Sequence, residues 1–210
     1  NQPFSPNKLL EEMVTIMAKS SHSKRIEFVF DLKPLPEKLI GDVFRIKQVL
    51  NNLLSNALKF TSSGTITFSV NGRSLPHGIH ELNITVEDTG IGISRQDRKK
   101  LFNAFSQVDD ALNRNYQGTG LGLVISRELV RLMNGDLTLK SALGQGSTFS
   151  VSLRMNQLSQ KYSLTSSEDW KEKNVVIFDP IPSTRRSSAN MLSILGAKVT
   201  SVESLEYLAT

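Results

Sequence analysis

The run Asp42-Val-Phe-Arg-Ile-Lys-Gln-Val-Leu-Asn-Asn-Leu-Leu-Ser-Asn-Ala-Leu-Lys-Phe-Thr61 decides how the rest of the chain is read. Ile46, Val49, Leu50, Leu53, Leu54, Ala57 and Leu58 recur every three or four residues, so the spacing predicts a helix from Asp42 to about Lys59 with one buried stripe. Asn52, Asn56 and Lys59 follow the same spacing on another face. Two carboxamide oxygens are neutral, hard ligands that suit Mg²⁺ when phosphates complete its shell, and a lysine beside them can hold phosphate charge. Taken alone, the trio is better read as a solvated polar helix face.

Outward from that helix the pattern alternates. Upstream, Ser5-Pro6 is a cap followed by proline at the first helical position. Leu9, Leu10, Met13, Val14 and Met17 then make an amphipathic helix. Ile26, Phe28, Phe30 and Leu32 show the period of two of a half-buried strand, ended by Pro34-Leu35-Pro36. Downstream, strands are expected through 66–70 and 82–86 as a hairpin whose turn contains Gly72, Pro76 and Gly78. A short helix near 96–102, a long polar loop over 103–120, a helix from about Gly120 to Asn134-Gly135 and strands at 136–140 and 148–153 complete a layer of sheet and helices. A Ser-rich linker follows, and strand, helix, strand over 175–202 opens a parallel α/β unit. The domains are therefore 1–155, a linker 156–173, and 174–210.

Composition removes several chemistries. The chain has 39% apolar and 21% charged residues, enough to bury a core. It has no cysteine, which excludes disulfides and thiolate chemistry, and three histidines make a poor metal cluster. The net charge of +5 is scattered among acidic residues with no basic, aromatic-interleaved stretch, so nucleic acid is not the expected partner. No apolar run approaches the ~18 residues of a membrane span. Starting at Asn1 and ending at Ala209-Thr210 in mid-pattern, the sequence reads as part of something longer.

Two glycine-bearing segments flank the polar loop. Asp88 ends a strand pattern just before Gly90 and Gly92; the glycines allow a tight turn and leave the carboxylate able to accept from an amino group such as adenine N6. A plain Asp-Thr-Gly turn would look the same. Gly118-Thr119-Gly120-Leu121-Gly122 offers unblocked N–H groups at a helix start, suited to phosphate.

In this order the segments resemble the catalytic domain of sensor histidine kinases over residues 1 to about 155. The 42–61 run is similar to the family's N box, Val86-Glu-Asp88-Thr-Gly90-Ile-Gly92-Ile to its first glycine box, and Leu101-Phe102-Asn-Ala-Phe105 to its F box. Gly118 to Leu123 matches the second glycine box, and Gly146-Ser-Thr148-Phe the closing strand element. The resemblance implies a two-layer α/β sandwich of the Bergerat type, followed by the beginning of a receiver-like parallel unit. It implies ATP and Mg²⁺ as ligands: Asn56 on the metal with Asn52 helping, Lys59 on phosphate, and Asp88 with Gly90 and Gly92 at adenine. Thr148 would support the adenine, Gly118, Thr119, Gly120, Leu121 and Gly122 would form the phosphate lid, and Phe105 and Phe102 would anchor it.

Related ATPases such as gyrase and the Hsp90 chaperones resemble this fold but place a glutamate base where this chain has Asn52. An amide takes no proton from water, which favours phosphoryl transfer to a histidine over hydrolysis. His22, His77 and His80 match no acceptor motif and are expected at the surface or in turns. The resemblance therefore implies a separate histidine-bearing dimerisation domain, a homodimeric parent, a receiver domain or response regulator as partner, and a place on the cytoplasmic side of an inner-membrane-anchored kinase. The tail, Asn174-Val-Val-Ile-Phe-Asp179-Pro-Ile-Pro-Ser-Thr-Arg, is similar to the start of a receiver with one of its two acidic residues replaced by Pro180, as in hybrid sensors of the BarA/GacS type. A module that keeps the fold for contacts alone is the other reading.

Overall fold

The computed structural model describes residues 1–20, 25–101, 121–158, 172–194 and 196–204. Helix α1 (Pro6–Ser20) starts as its cap chemistry predicts, with the Lys8 N–H 3.5 Å from Ser5 Oγ. Helix α2 (Val43–Phe60) is capped by Asp42, whose carboxylate accepts from the Arg45 N–H at 3.1 Å and pairs with the Arg45 guanidinium at 3.1 Å. Ile46, Val49, Leu50, Leu53, Leu54 and Ala57 are buried, the stripe that the spacing predicts. An ion pair between Glu12 and Lys47 ties α1 to α2.

These helices pack on a seven-stranded sheet. Its strands are β1 (Gln2–Phe4), β2 (Arg25–Leu32), β3 (Leu39–Gly41), β4 (Ser63–Leu75), β5 (Ile79–Asp88), β6 (Asp136–Ser141) and β7 (Ser147–Gln157). The order is β1-β3-β7-β5-β4-β2, with β6 also on β7; only β2 and β4 run parallel. Ile66, Phe68, Val70, Leu82, Ile84, Val86, Phe149, Val151, Leu153 and Met155 form the inner row facing the helices. Each such side chain taken from water contributes about 1.5–3 kcal/mol, which makes this layer the main source of stability. The alternate row is polar; Thr85 and Ser150 sit there with their hydroxyls 3.3 Å apart. The result is a two-layer α/β sandwich.

Helix α3 (Arg95–Lys100) is capped by Ser94, whose hydroxyl accepts from the Asp97 N–H at 3.1 Å. Helix α4 (Gly122–Leu132) lies beside α2 and stops at Asn134, at φ 56°, and Gly135. Beyond them, β8 (Asn174–Phe178) and β9 (Lys198–Val202) are parallel and joined by α5 (Pro182–Ile194). Helix α5 packs on β2, where the Thr184 hydroxyl donates to the Glu27 carboxylate. The polar loop expected over 103–120 lies outside the described residues, as does most of the linker expected over 156–173.

The structure departs from the sequence expectations in four places. The short strands β1 and β3 carry too few residues for a periodic signal. Strand β7 runs to Gln157, past the end expected at Leu153, because β3 supplies partners for Asn156 and Gln157. The β4–β5 hairpin is also longer than predicted, turning at Pro76–Gly78 with His77 and Gly78 at φ 62° and 69°. Gly72 is thus a strand residue, and a Cβ on it would come within 2.3 Å of His80 Nε2. The glycine leaves room for that imidazole. His80, expected at the surface, is fully buried on the inner row beside Leu82. The next residue, Glu81, lies on the outer row between Arg73 at 2.7 Å and Arg154 at 3.2 Å. Hydrogen bonds from Arg73 first, and then Arg154, hold its carboxyl below the ordinary range.

Burial pushes the His80 imidazole down, so it stays neutral in the folded chain. The unfolded chain takes up the proton first, and the stability this group supports is present above about pH 6.5 and lost as the pH falls below it. Urea midpoints at pH 7.5 and 5.5 should show this loss, and His80→Leu should flatten it. Glu81, also lowered, contributes a loss only as the pH falls through the ordinary carboxylate range and below it. The β6–β7 turn gives a second prediction. Gly144 at φ +75° has open space around it, while a Cβ on Gly146 at φ +81° would meet the Asp88 carbonyl at 1.8 Å. Gly144→Ala should cost about 1 kcal/mol from its backbone alone, and Gly146→Ala more than about 2 kcal/mol, both read by urea denaturation.

Candidate functional site

Asp88 ends β5 on the inner row, opposite Ser147 of β7 and Ile66 of β4. It is 6% exposed. Its Oδ1 accepts from the Gly90 N–H at 2.9 Å, and the Ser147 N–H also donates to the carboxylate. Burial is the largest influence and raises its carboxyl above the ordinary range; the two N–H donors pull the other way and Glu87 adds to the rise. Beyond these N–H groups the carboxylate has acceptor capacity left for a further hydrogen-bond donor in a dry place.

The loop after Asp88 fits its surroundings through glycines. A Cβ on Gly90 would lie 2.3 Å from the Phe60 carbonyl, which itself accepts from the Ile91 N–H at 3.2 Å, so the C-terminal end of α2 closes on this loop. Gly92 adopts φ +66°, and a Cβ there would come within 1.9 Å of the Ala142 carbonyl. From the other side the β6–β7 turn interlocks with it. The Gly144 N–H donates to the Ile91 carbonyl at 2.7 Å, and Ser141 Oγ accepts from the Ile93 N–H at 2.8 Å. That hydroxyl lies 2.8 Å from the Gly146 carbonyl and 3.1 Å from Ser147 Oγ.

The structure thus brings Asp88, Gly90 and Gly92 together with the end of α2. Asn56 and Lys59 are half-buried on α2, and Lys59 Nζ lies 5.1 Å from the Phe60 ring centroid. Asn52, expected to help hold a metal, engages α4: its Nδ2 donates to Ser126 Oγ at 2.9 Å. Leu121 and Gly122 stand at the start of α4. Phe102, Phe105, Gly118, Thr119 and Gly120 lie outside the described residues.

One expectation is corrected. Thr148 pairs with Glu87 on one side and Lys140 on the other, on the outer row of the sheet, and so faces away from Asp88. Ser147 is the residue beside Asp88. The signal was available: Phe149 is apolar and inward, and a period of two sends Ser147 inward and Thr148 outward. Ser126 and Ser141 had no comparable signal, since their roles come from contacts across the fold.

Among the described residues no group of three or more His, Asp or Glu side chains could hold a metal. A divalent cation here would need carboxamide oxygens together with oxygens of a bound ligand, a set that suits Mg²⁺ held by phosphates.

Comparison with known proteins gives a consistent result. Residues 41–157 match the model of a family described as histidine kinase-, DNA gyrase B- and HSP90-like ATPase. The chain is 38% identical to the sensor histidine kinase GacS of Pseudomonas protegens over 98% of its own length and 23% of that protein's. It is 43% identical to the signal transduction histidine-protein kinase BarA of Escherichia coli K12 over 70% of its length and 16% of that protein's. It thus spans less than a quarter of these relatives. Among solved structures, full-length ShkA in complex with AMPPNP superposes with a TM-score of 0.72 at 27% identity, covering 99% of this chain and 42% of that one. The mycobacterial sensor histidine kinase MprB gives a TM-score of 0.57 at 25% identity, covering 75% of this chain and all of that one. With more than half its length matched by that family model, this chain belongs to the histidine kinase-, DNA gyrase B- and HSP90-like ATPases.

Proposed function

We propose that the chain binds Mg²⁺-ATP around Asp88 and presents the γ-phosphoryl group to a histidine on a separate dimerisation domain, in two-component signalling. The observation that carries this is Asp88 itself: a buried carboxylate at the end of a strand, held by the Gly90 and Ser147 N–H groups. Asp88 accepts from the adenine amino group, with Gly90 and Gly92 keeping the floor close enough for a flat base. Asn56 would hold the cation and Lys59 the phosphates; the resemblance gives the phosphate lid to Gly118–Gly122, of which Gly118 to Gly120 lie outside the described residues. Bound Mg²⁺-ATP supplies the activated phosphoryl group and the charge that neutralises its oxygens.

In this reading the described residues position and shield, without a base for water at the Asn52 position. Asn52 stands where a carboxylate base would be needed and cannot take a proton. A neutral imidazole already carries the lone pair that attacks phosphorus. His80 is enclosed in the core, and no histidine of the sequence sits in an acceptor motif, which fits an acceptor on a separate domain. We read the β8-α5-β9 unit as the opening of a receiver-like domain. There the Asp179 carboxylate accepts from the Ile181 N–H at 2.8 Å, which suits leading the chain into α5 better than holding a metal. A homodimeric parent at the cytoplasmic side of a membrane, with a receiver or response regulator as phosphoryl destination, completes the proposal. No helix among the described residues is long and apolar enough to cross a membrane.

A fluorescent ATP analogue titrated with and without Mg²⁺ tests this. Asp88→Asn, which removes a charge-assisted acceptor, should weaken binding about 10- to 100-fold. Asn56→Ala should reduce the dependence on Mg²⁺, and the intact chain should phosphorylate a supplied histidine-bearing domain. Failure of the folded, unmodified chain to bind would leave it as a contact module. Because the Asp88 carboxyl is raised by burial, affinity should begin to fall at a higher pH than an ordinary aspartate would give, as protonation removes the acceptor. Calorimetric titrations between pH 7.5 and 4.5 would read this.

A further inference from the structure

Asn52 is half-buried on α2, one helical turn before Asn56, and both ends of its carboxamide are engaged by α4. Nδ2 donates to Ser126 Oγ at 2.9 Å, and Ser126 is 2% exposed. At the other end Oδ1 lies against Gly122, where a Cβ would come within 2.4 Å of it. Gly122 and Ser126 are one turn apart on the same face of α4. A single side chain of α2 therefore spans the first turn of α4.

We infer that Asn52 is a positioning residue and not a metal ligand: with Ser126 and Gly122 it fixes where α4 starts relative to the α2 turn that carries Asn56. The inference rests on the proposed function for its consequence and on the geometry for its substance. A metal ligand needs its oxygen directed at the cation, whereas this oxygen abuts a backbone and the amide nitrogen is committed to a hydroxyl. Among the described residues the start of α4 has no side-chain cap, Leu121 standing at the cap position. Val130, Leu123 and Leu129 pack α4 on the core, and Asn52 adds a polar tie that reaches two successive turns at its start. The glycine at 122 then has a local reason: any side chain there would displace the carboxamide. Asn52 and Asn56, alike in type and four residues apart, so divide the work, one orienting the helix that follows the glycine segment and the other facing the ligand.

A cycle of Asn52→Ala, Ser126→Ala and the double variant, with Asn56→Ala beside them, tests the assignment on the full chain. Nucleotide affinity with and without Mg²⁺ is one readout; amide hydrogen exchange of residues 122–126 in the ligand-free chain is the other. The expected result is that each single variant weakens nucleotide binding about 3- to 10-fold and the double variant no more than either. The dependence on Mg²⁺ should stay as in the unmodified chain except in Asn56→Ala, and exchange at the start of α4 should quicken in both single variants. Gly122→Ala should weaken binding in the presence of Asn52 and add nothing to Asn52→Ala. The inference is overturned if Asn52→Ala alters the Mg²⁺ dependence while Ser126→Ala is silent, if the two losses add, or if exchange at α4 is unchanged. An unmodified chain that binds no nucleotide would sink the proposed function, and the exchange measurement would then decide on the tether by itself.

Discussion

A carboxylate nearly removed from water must be held by donors, and much of the local architecture follows from how Asp88 is held. Its two N–H partners come from different parts of the chain, Gly90 in its own loop and Ser147 at the start of β7. For both to reach it, the loop after β5 must fold back sharply and β7 must pair with β5 in one register. A shift of one residue would bring Thr148 inward and send Phe149 to water. The buried row Phe149, Val151, Leu153 and Met155 is what fixes that register, so hydrophobic burial along β7 sets the polar geometry at its end.

Helix α2 is the second constraint. Its apolar stripe anchors it to the sheet, which leaves its half-buried face to meet the rest of the site. The Phe60 carbonyl receives the Ile91 N–H, and Asn52 receives the start of α4, so one helix positions both the floor beside Asp88 and the helix that follows the glycine segment. Rigid elements hold the polar groups, and the loops between them are set by close backbone approach at Gly90, Gly92 and Gly146.

Much of this was legible in the sequence. The stripe of α2, the cap at Asp42, the alternation of β2, β4 and β5 and the stop at Asn134-Gly135 are local signals, each produced by side chains a few residues apart. The length of the hairpin is not legible locally, because Gly72 looks like a turn residue when its place in β4 makes space for His80 on the neighbouring strand. His80 was misplaced for the same reason: a polar residue near a turn is ordinarily exposed, and only the true length of β4 and β5 carries it inward. The outer triad of Arg73, Glu81 and Arg154 joins three strands and has no sequence spacing to announce it.

The sequence by itself determined the helices, most strands, the family resemblance and the residue types available for a nucleotide site, because periodicity, caps and glycine spacing act over one or two turns of chain. The tertiary structure decided which of those residues meet. It paired Asp88 with Ser147 and not Thr148, and gave Asn52 to Ser126 on α4 while Asn56 stayed on the half-buried face of α2. Identical amides four residues apart are indistinguishable in a helical pattern. What separates them is the neighbour each one packs against, and that is fixed only when the sheet and helices close on a common core.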